Sequence, residues 1–138
     1  MSSEEQAKAY LEAARLTLSA AEAIYDQACR RNQVLWAQVV KNAYDAIEQA
    51  VSAGIAAESA TIPRSHPAKV NTVIDLYTPP EAVETLFLYW LQRRSHPQYV
   101  DIKGDEINVP QEQFDREDAD RILDDAKDVL EFVAISTG

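Results

Sequence analysis

Apolar positions recur along most of this chain at alternating spacings of three and four, the period that places one side chain per turn on a common helical face. The first stripe is Leu11, Ala14, Leu18, Ala21, Tyr25 and Ala28, and half of it is alanine, so a partner helix can approach closely. Ser2 followed three residues later by Glu5 reads as a capping box at its start. Arg30 and Arg31 suit its end, where the helix dipole is negative. Asn32 reads as the N-cap of a second helix, whose face of Leu35, Trp36, Val39, Val40, Ala43, Tyr44, Ile47, Ala50, Val51 and Ile55 is the longest in the sequence. Two long helices with so short a link, two or three residues on this reading, predict an antiparallel hairpin. Gly54 weakens the last turns, and Ile62-Pro63 marks the exit.

Ser65 or His66 before Pro67 opens a third, short helix with Val70, Val73, Ile74 and Tyr77 on its inner face. Thr78 then precedes Pro79, Pro80 and Glu81, read as a capping box for a fourth helix carrying Val83, Leu86, Phe87, Trp90 and Leu91. Pro97 stops that helix near Ser95. Residues 96–114, with Pro97, Gly104 and Pro110, show no helical period, and stretches of this length are often functional. Within them Ile102 and Ile107-Asn108-Val109 suit a small hairpin. Asp115 caps a fifth helix whose inner face is Ala119, Ile122, Leu123, Ala126, Val129, Leu130 and Val133. These elements predict an all-α, up-and-down antiparallel bundle of about five helices, with no parallel-sheet signature. No composition break divides it, so residues 1–138 read as one domain.

Composition narrows the class. An apolar fraction of 46% in 138 residues is ordinary for a globular domain and excludes wholesale disorder. No apolar run approaches the ~18 residues of a spanning helix, and the polar, acidic N-terminus lacks a signal-peptide pattern, so no membrane role is expected. The single cysteine, Cys29, excludes an intramolecular disulfide framework and a multi-cysteine zinc site. It fits a reducing, cytoplasmic setting and reads as a small buried thiol.

The formal charge is −10, from 23 acidic and 13 basic residues, which argues against coating by nucleic acid or anionic membrane. The excess is uneven. Residues 1–100 hold 11 acidic and 9 basic side chains, whereas residues 101–138 hold 12 and 4. The acidic last helix is a solvated face, a docking surface for a basic partner or an adaptation to salt, and composition does not separate the three. The nearly neutral remainder leaves room for one local phosphate site.

A phosphate-binding glycine loop, a His-Glu-x-x-His zinc motif, a Gly-x-Ser-x-Gly nucleophile turn and the Glu-x-x-His pairs of a di-iron bundle are all missing, so no metal and no cofactor are expected. The two histidines lie in identical tetrapeptides with unrelated flanks, Arg64-Ser65-His66-Pro67 and Arg94-Ser95-His96-Pro97. If the first four helices alternate up and down, the ends of the second and fourth meet at one pole. Arg64, His66, Arg93, Arg94 and His96 would gather there, with Arg30 and Arg31 opposite. Such a cluster suits a phosphate or an RNA backbone; independent surface groups and caps are the plainer reading. Trp36, Tyr44 and Trp90 lie on apolar stripes, which favours core or dimer packing over an aromatic cage.

Taken in order, the long helix pair, Pro63-Arg64-Ser65-His66 at the third helix, Arg93-Arg94-Ser95-His96-Pro97-Gln98-Tyr99-Val100-Asp101 after the fourth and the acidic final helix resemble the HEPN (higher eukaryotes and prokaryotes nucleotide-binding) domain over nearly the whole chain. The resemblance implies a helical bundle that commonly forms a homodimer, paired with a small nucleotidyltransferase-type protein in toxin–antitoxin systems. Active members are metal-independent RNases whose signature is Arg, a spacer of roughly four to six residues, then His. There His would polarise the 2′-hydroxyl or protonate the leaving oxygen, and Arg would stabilise phosphorane charge. In this sequence, aligning Tyr99 with the family tyrosine puts Pro97 at the histidine position. Arg94 and Tyr99 instead match a variant that lacks the histidine. The resemblance thus implies a non-catalytic module for a nucleotide, RNA or a partner, with Arg64, His66, Arg93, Arg94, Tyr99 and Asp101 as site residues. The alternatives are an RNase using Arg93 or Arg94 with His96, and a scaffold that docks through its acidic last helix.

Overall fold

Ser2 nucleates the first helix as its spacing to Glu5 predicts. Its hydroxyl accepts from the Glu5 backbone N–H at 3.1 Å, and the Glu5 carboxylate accepts from the Ser2 N–H at 3.4 Å. The chain is described here from a computed structural model, which covers residues 2–93 and 114–138 with their side chains and, between them, the backbone of 101–103 and 106–108. Helix α1 runs Ser3–Arg31, burying Ala14, Leu18, Ala21 and Ala28 and half-burying Leu11 and Tyr25. Cys29 falls one residue beyond that stripe, a rotation of about 100°, and is exposed rather than buried. Arg30 and Arg31 occupy the last turn.

Asn32 ends α1 instead of beginning the next helix. It sits in the left-handed region at φ 51°, and its N–H donates to the Ala28 carbonyl. Asparagine tolerates that region because its short polar side chain bonds locally. Helix α2, Trp36–Ala57, starts after Leu35 with no side-chain cap. The pair is antiparallel: Ser3 Oγ and Ser59 Oγ are 2.8 Å apart at one end, and the Tyr25 and Trp36 rings lie 5.5 Å apart at the other. Helix α2 is the centre of the molecule. Val39, Val40, Ile47, Val51 and Ile55 are all 2% exposed or less, and each contributes about 1.5–3 kcal/mol by leaving water.

Helix α3, His66–Tyr77, is capped by Ser65, whose hydroxyl accepts from Ala68 N–H at 3.2 Å, with Pro67 in the first turn. It crosses α2 in the same sense: Glu48 meets His66 and Lys69, and Gly54, one and a half turns on, meets Val73 and Tyr77. Gly54 is a packing point. A methyl group there would lie 3.3 Å from the Tyr77 ring, and the Tyr77 hydroxyl donates to the Gly54 carbonyl at 2.6 Å.

Thr78, expected to cap the fourth helix, instead closes the third. It is left-handed at φ 43°, with its N–H donating to Ile74. Packing of Tyr77 on Gly54 fixes the end of α3 and outweighs the reluctance of a β-branched residue to enter that region. Helix α4, Glu81–Arg93, opens on the Pro80 carbonyl, which accepts from both Val83 and Glu84. It buries Leu86, Phe87 and Trp90.

Strands β1, Asp101–Lys103, and β2, Glu106–Asn108, pair antiparallel with Ile102 opposite Ile107, the hairpin the sequence suggested; Val109 lies outside the described residues. Helix α5, Arg116–Thr137, begins with a reciprocal capping box between Asp115 and Asp118. All seven residues of its expected inner face are buried, against α2 and α1.

The described residues thus form an all-α bundle of five helices with one short hairpin. Helices α1, α2, α4 and α5 alternate in direction. Along α4 and α5 the meeting residues run in opposite order, Trp90 with Asp125 and then Arg93 with Asp118. Helix α3 stands outside this alternation. No described helix is long and apolar enough to cross a membrane.

Candidate functional site

One face of α2 does not follow its apolar pattern. Asn42, Asp45, Gln49 and Ser52 recur at spacings of three, four and three, forming a polar stripe on a helix most of whose residues are buried and apolar. This stripe floors an open groove of about 630 Å³, a volume within the range of small-molecule sites. Helix α1 supplies one wall with Tyr10 and Thr17. Ile62, Pro63 and the start of α3 supply the other, including Arg64, His66 and Lys69.

Glu48 organises that second wall. Its carboxylate accepts a hydrogen bond from His66 Nδ1 and lies 3.7 Å from Lys69 Nζ. An ionised carboxylate only accepts, so Nδ1 carries the proton of this bond. The Tyr44 ring stands edge-on to the imidazole, 6.4 Å away, and helps to fix its plane. Asp45 pairs with Lys41 at 3.9 Å. Arg64 is exposed and, among the described residues, no carboxylate lies within 4.0 Å of it. The Gln49 Oε1 atom is buried, with no hydrogen-bond partner among the described residues. Buried side-chain acceptors are nearly always satisfied; this one is an unmet acceptor sealed beneath the groove floor. The arrangement can therefore hold an anion on one wall and a hydrogen-bonding group at its floor.

Of the residues the sequence singled out, Arg64 and His66 come together here. Arg93 does not join them. It lies at the far end of α4, where its Nη1 donates to the Tyr89 hydroxyl at 2.6 Å and to Asp118 Oδ1 at 2.9 Å, and its guanidinium stacks 4.7 Å from the Phe114 ring centroid. Burial pulls its pKa down, but the bonds to Asp118 and Tyr89 outweigh that and hold it above the ordinary value. For Asp118, burial raises the pKa, and the bonds from Arg93 and from Asp115 overcome it and hold the carboxyl below the usual range. Arg93 is thus a structural clamp between α4 and α5.

The expected meeting of the second and fourth helix ends fails because the chain doubles back after α2. Residues 58–65 return alongside that helix, so α3 starts near its middle, at Glu48, and α4 then travels to the opposite end. That end also holds the C-terminus of α1, marked by the bond from Arg116 Nε to the Tyr25 hydroxyl at 3.0 Å. Arg93 therefore shares its pole with Arg30 and Arg31, and Arg64 does not. Arg94, His96 and Tyr99 lie outside the described residues; Asp101 is the first residue of β1, opposite Asn108.

The aromatic residues divide in the same way. Tyr44 and Trp90 are core, and Trp90 Nε1 donates to Asp125 Oδ2 at 2.7 Å. Trp36 is half-buried at the start of α2, sharing the Arg116 guanidinium with Tyr25. The sequence reading missed Glu48, Gln49 and Lys69. The interrupted apolar pattern of α2 was the signal that marks the first two, and Lys69 follows His66 by one turn of α3.

Comparison with known proteins returns no match to this chain: no family model, no curated protein and no solved structure.

Proposed function

We propose that this protein is a non-catalytic binding module that takes a nucleotide in the groove between α1, α2 and the start of α3. The observation that carries the reading is the wall formed by Arg64 and Lys69, where a guanidinium with no carboxylate within 4.0 Å among the described residues stands beside a lysine that Glu48 pairs. A guanidinium is a strong phosphate donor. Tyr10 on the facing wall offers a ring for a base, and Gln49 offers an amide at its floor. The HEPN-like order of the sequence supports the same ligand class. It also suggests a homodimer, a nucleotidyltransferase-type protein partner and a cytoplasmic setting, the last in keeping with one exposed, unpaired thiol. The non-catalytic reading is supported by the departure of the sequence from the RNase signature and by Arg93, since a guanidinium that binds Asp118 and Tyr89 is poorly placed to stabilise a phosphorane.

The test pairs binding with turnover. Titration of the protein with a nucleotide panel, followed by amide chemical shifts, should perturb residues 62–69 and α2 near Gln49, while structured RNA incubated with the protein stays intact. Silence across the panel refutes the binding reading. RNA cleavage abolished by both Arg94→Ala and His96→Ala refutes the non-catalytic one.

A further inference from the structure

Helix α1 has two apolar faces, and only one of them packs into the bundle. Ala7, Ala14, Leu18, Ala21 and Ala28 are buried. Leu16 lies two residues before Leu18, which at about 100° per residue puts it on the far side of the helix, and it is 63% exposed. Ala9, Ala13, Ala20 and Ala23 flank it at spacings of three and four, and all but the half-buried Ala13 are exposed. A single exposed leucine is ordinary. An apolar face that continues for about four turns, on a helix already packed along its other side, calls for a partner.

The order of this face is self-complementary. Its positions read Gln6, Ala9, Ala13, Leu16, Ala20, Ala23 and Gln27, the same residue types in either direction. Two copies of α1 laid antiparallel pair Leu16 with the partner's Leu16, Ala13 with the partner's Ala20, Ala9 with the partner's Ala23 and Gln6 with the partner's Gln27. A two-fold axis requires a contact of this isologous kind.

Charge selects the same direction. Along one edge of the face α1 carries two exposed ion pairs, Glu4 with Lys8 at 3.6 Å and Asp26 with Arg30 at 3.9 Å. In the antiparallel register Glu4 comes opposite the partner's Arg30, and Lys8 opposite the partner's Asp26, with unlike signs at each meeting. A parallel pair would set every charge against its own kind. Glu12 comes opposite the partner's Glu22, with Arg15 beside it at 3.9 Å. Exposed pairs contribute little affinity one by one, so their effect is on orientation and register.

We infer that the outer face of α1 is the interface with a second copy of this chain, the two helices lying antiparallel about a two-fold axis at Leu16. This names the surface of the homodimer suggested above and does not depend on the nucleotide reading. Alanine lets the helix axes approach to about 8 Å. A shallow depression of about 330 Å³, lined by Gln6, Ala9, Tyr10 and Ala13, is the seat for the partner's Ala20 and Ala23. From Gln6 to Gln27 the helix spans roughly 30 Å. Contact along that length buries on the order of 1,000 Å² in all, the small end of specific interfaces, so the dimer should dissociate in the micromolar range.

Sedimentation equilibrium of the full chain, from micromolar to millimolar concentration, should pass from 15.4 kDa to twice that mass. Leu16→Glu changes an exposed position and should hold the protein at the lower mass with its circular dichroism unchanged. Lys8→Glu turns attraction into repulsion on both sides of the axis and should weaken association about ten-fold. Adding Asp26→Lys restores unlike signs and should recover it, which a mere loss of helix stability would not. In a Cys29→Ser background, Ala9→Cys and Ala23→Cys proteins mixed under oxidation should cross-link to each other, and neither to itself. The lower mass at every concentration overturns the inference together with the homodimer expectation. A dimer that survives Leu16→Glu overturns this surface and leaves the homodimer standing. Ala9→Cys protein that cross-links to itself overturns the antiparallel register.

Discussion

Replacing Arg93 with alanine should cost stability, because the guanidinium ties α4 to α5. The 2.9 Å bond to Asp118 is charge-assisted, and the side chains are 26% and 20% exposed, so neither group is fully removed from water. Hydrogen bonds to charged groups contribute about 1.5–3 kcal/mol, and partial exposure places this one at the lower end. Stacking on Phe114 at 4.7 Å adds roughly 0.5–1 kcal/mol, and loss of the bond to the Tyr89 hydroxyl adds to the cost. Arg93→Ala should therefore destabilise the fold by about 2–3 kcal/mol. A double-mutant cycle with Asp118→Asn, measured by urea denaturation at neutral pH, should return a coupling of about 1–2 kcal/mol. The pH dependence has a definite sign. Asp118 is held below the usual carboxyl pKa, so its contribution is complete above the unfolded value near 3.9 and is lost as pH falls through the lowered one. The gap between wild type and Arg93→Ala should accordingly narrow in acid. Additive single mutants, or an Arg93→Ala protein within about 0.5 kcal/mol of wild type, would refute the clamp and return Arg93 to the list of groups free for chemistry.

Three further substitutions probe the elements that position the groove. Thr78→Gly relieves a β-branched residue at φ 43° and should raise stability by about 0.5 kcal/mol after the entropic cost of glycine; a lower melting temperature would contradict the strain. Gly54→Val places side-chain atoms where a single methyl already comes within 3.3 Å of the Tyr77 ring, so thermal denaturation should show a loss of about 1–3 kcal/mol. Asp115→Ala removes the side chain that accepts from Asp118 N–H at 2.9 Å and should cost about 1 kcal/mol by the same measurement.

Helix α5 was fully legible because its two faces differ: seven apolar residues point inward and most of the remaining positions are charged. Helix α2 was legible as a helix but not as a centre. Its apolar face named the hairpin with α1, while its burial on nearly every side reflects neighbours that only the fold brings. Asn32 and Thr78 were misread for one reason. Between closely spaced helices, a short polar residue can start the second or finish the first, and the choice depends on a backbone angle that packing sets. The direction of α3 had no local signal at all. It follows from residues 58–65 returning along α2 and from Tyr77 seating on Gly54. The groove inherits that problem, since Glu48 and His66 are 18 residues apart and meet only because α3 runs with α2 and not against it.

The acidic excess of the last 38 residues also changes meaning once α5 is placed. Asp115 and Asp118 cap the helix, Asp118 holds Arg93, and Asp125 accepts from the Trp90 indole and sits 3.6 Å from Arg121 with 18% of its side chain exposed. Those carboxylates serve the fold. Glu117, Asp124, Asp128 and Glu131 are exposed, and no residue of α5 lines the groove, whose described ionic side chains are Asp45, Glu48, Arg64 and Lys69, so the local charge there is set by these four far more than by the total of −10. A docking role for α5 must therefore be tested on the outer residues alone. Reversing Asp124 and Asp128 to lysine should leave stability within about 0.5 kcal/mol, whereas Asp125→Lys buries a cation against an indole N–H and should cost several times that. Loss of partner capture in the first variant would establish the acidic face as a docking surface. Loss in the second variant alone would report only that α4 has come away from α5.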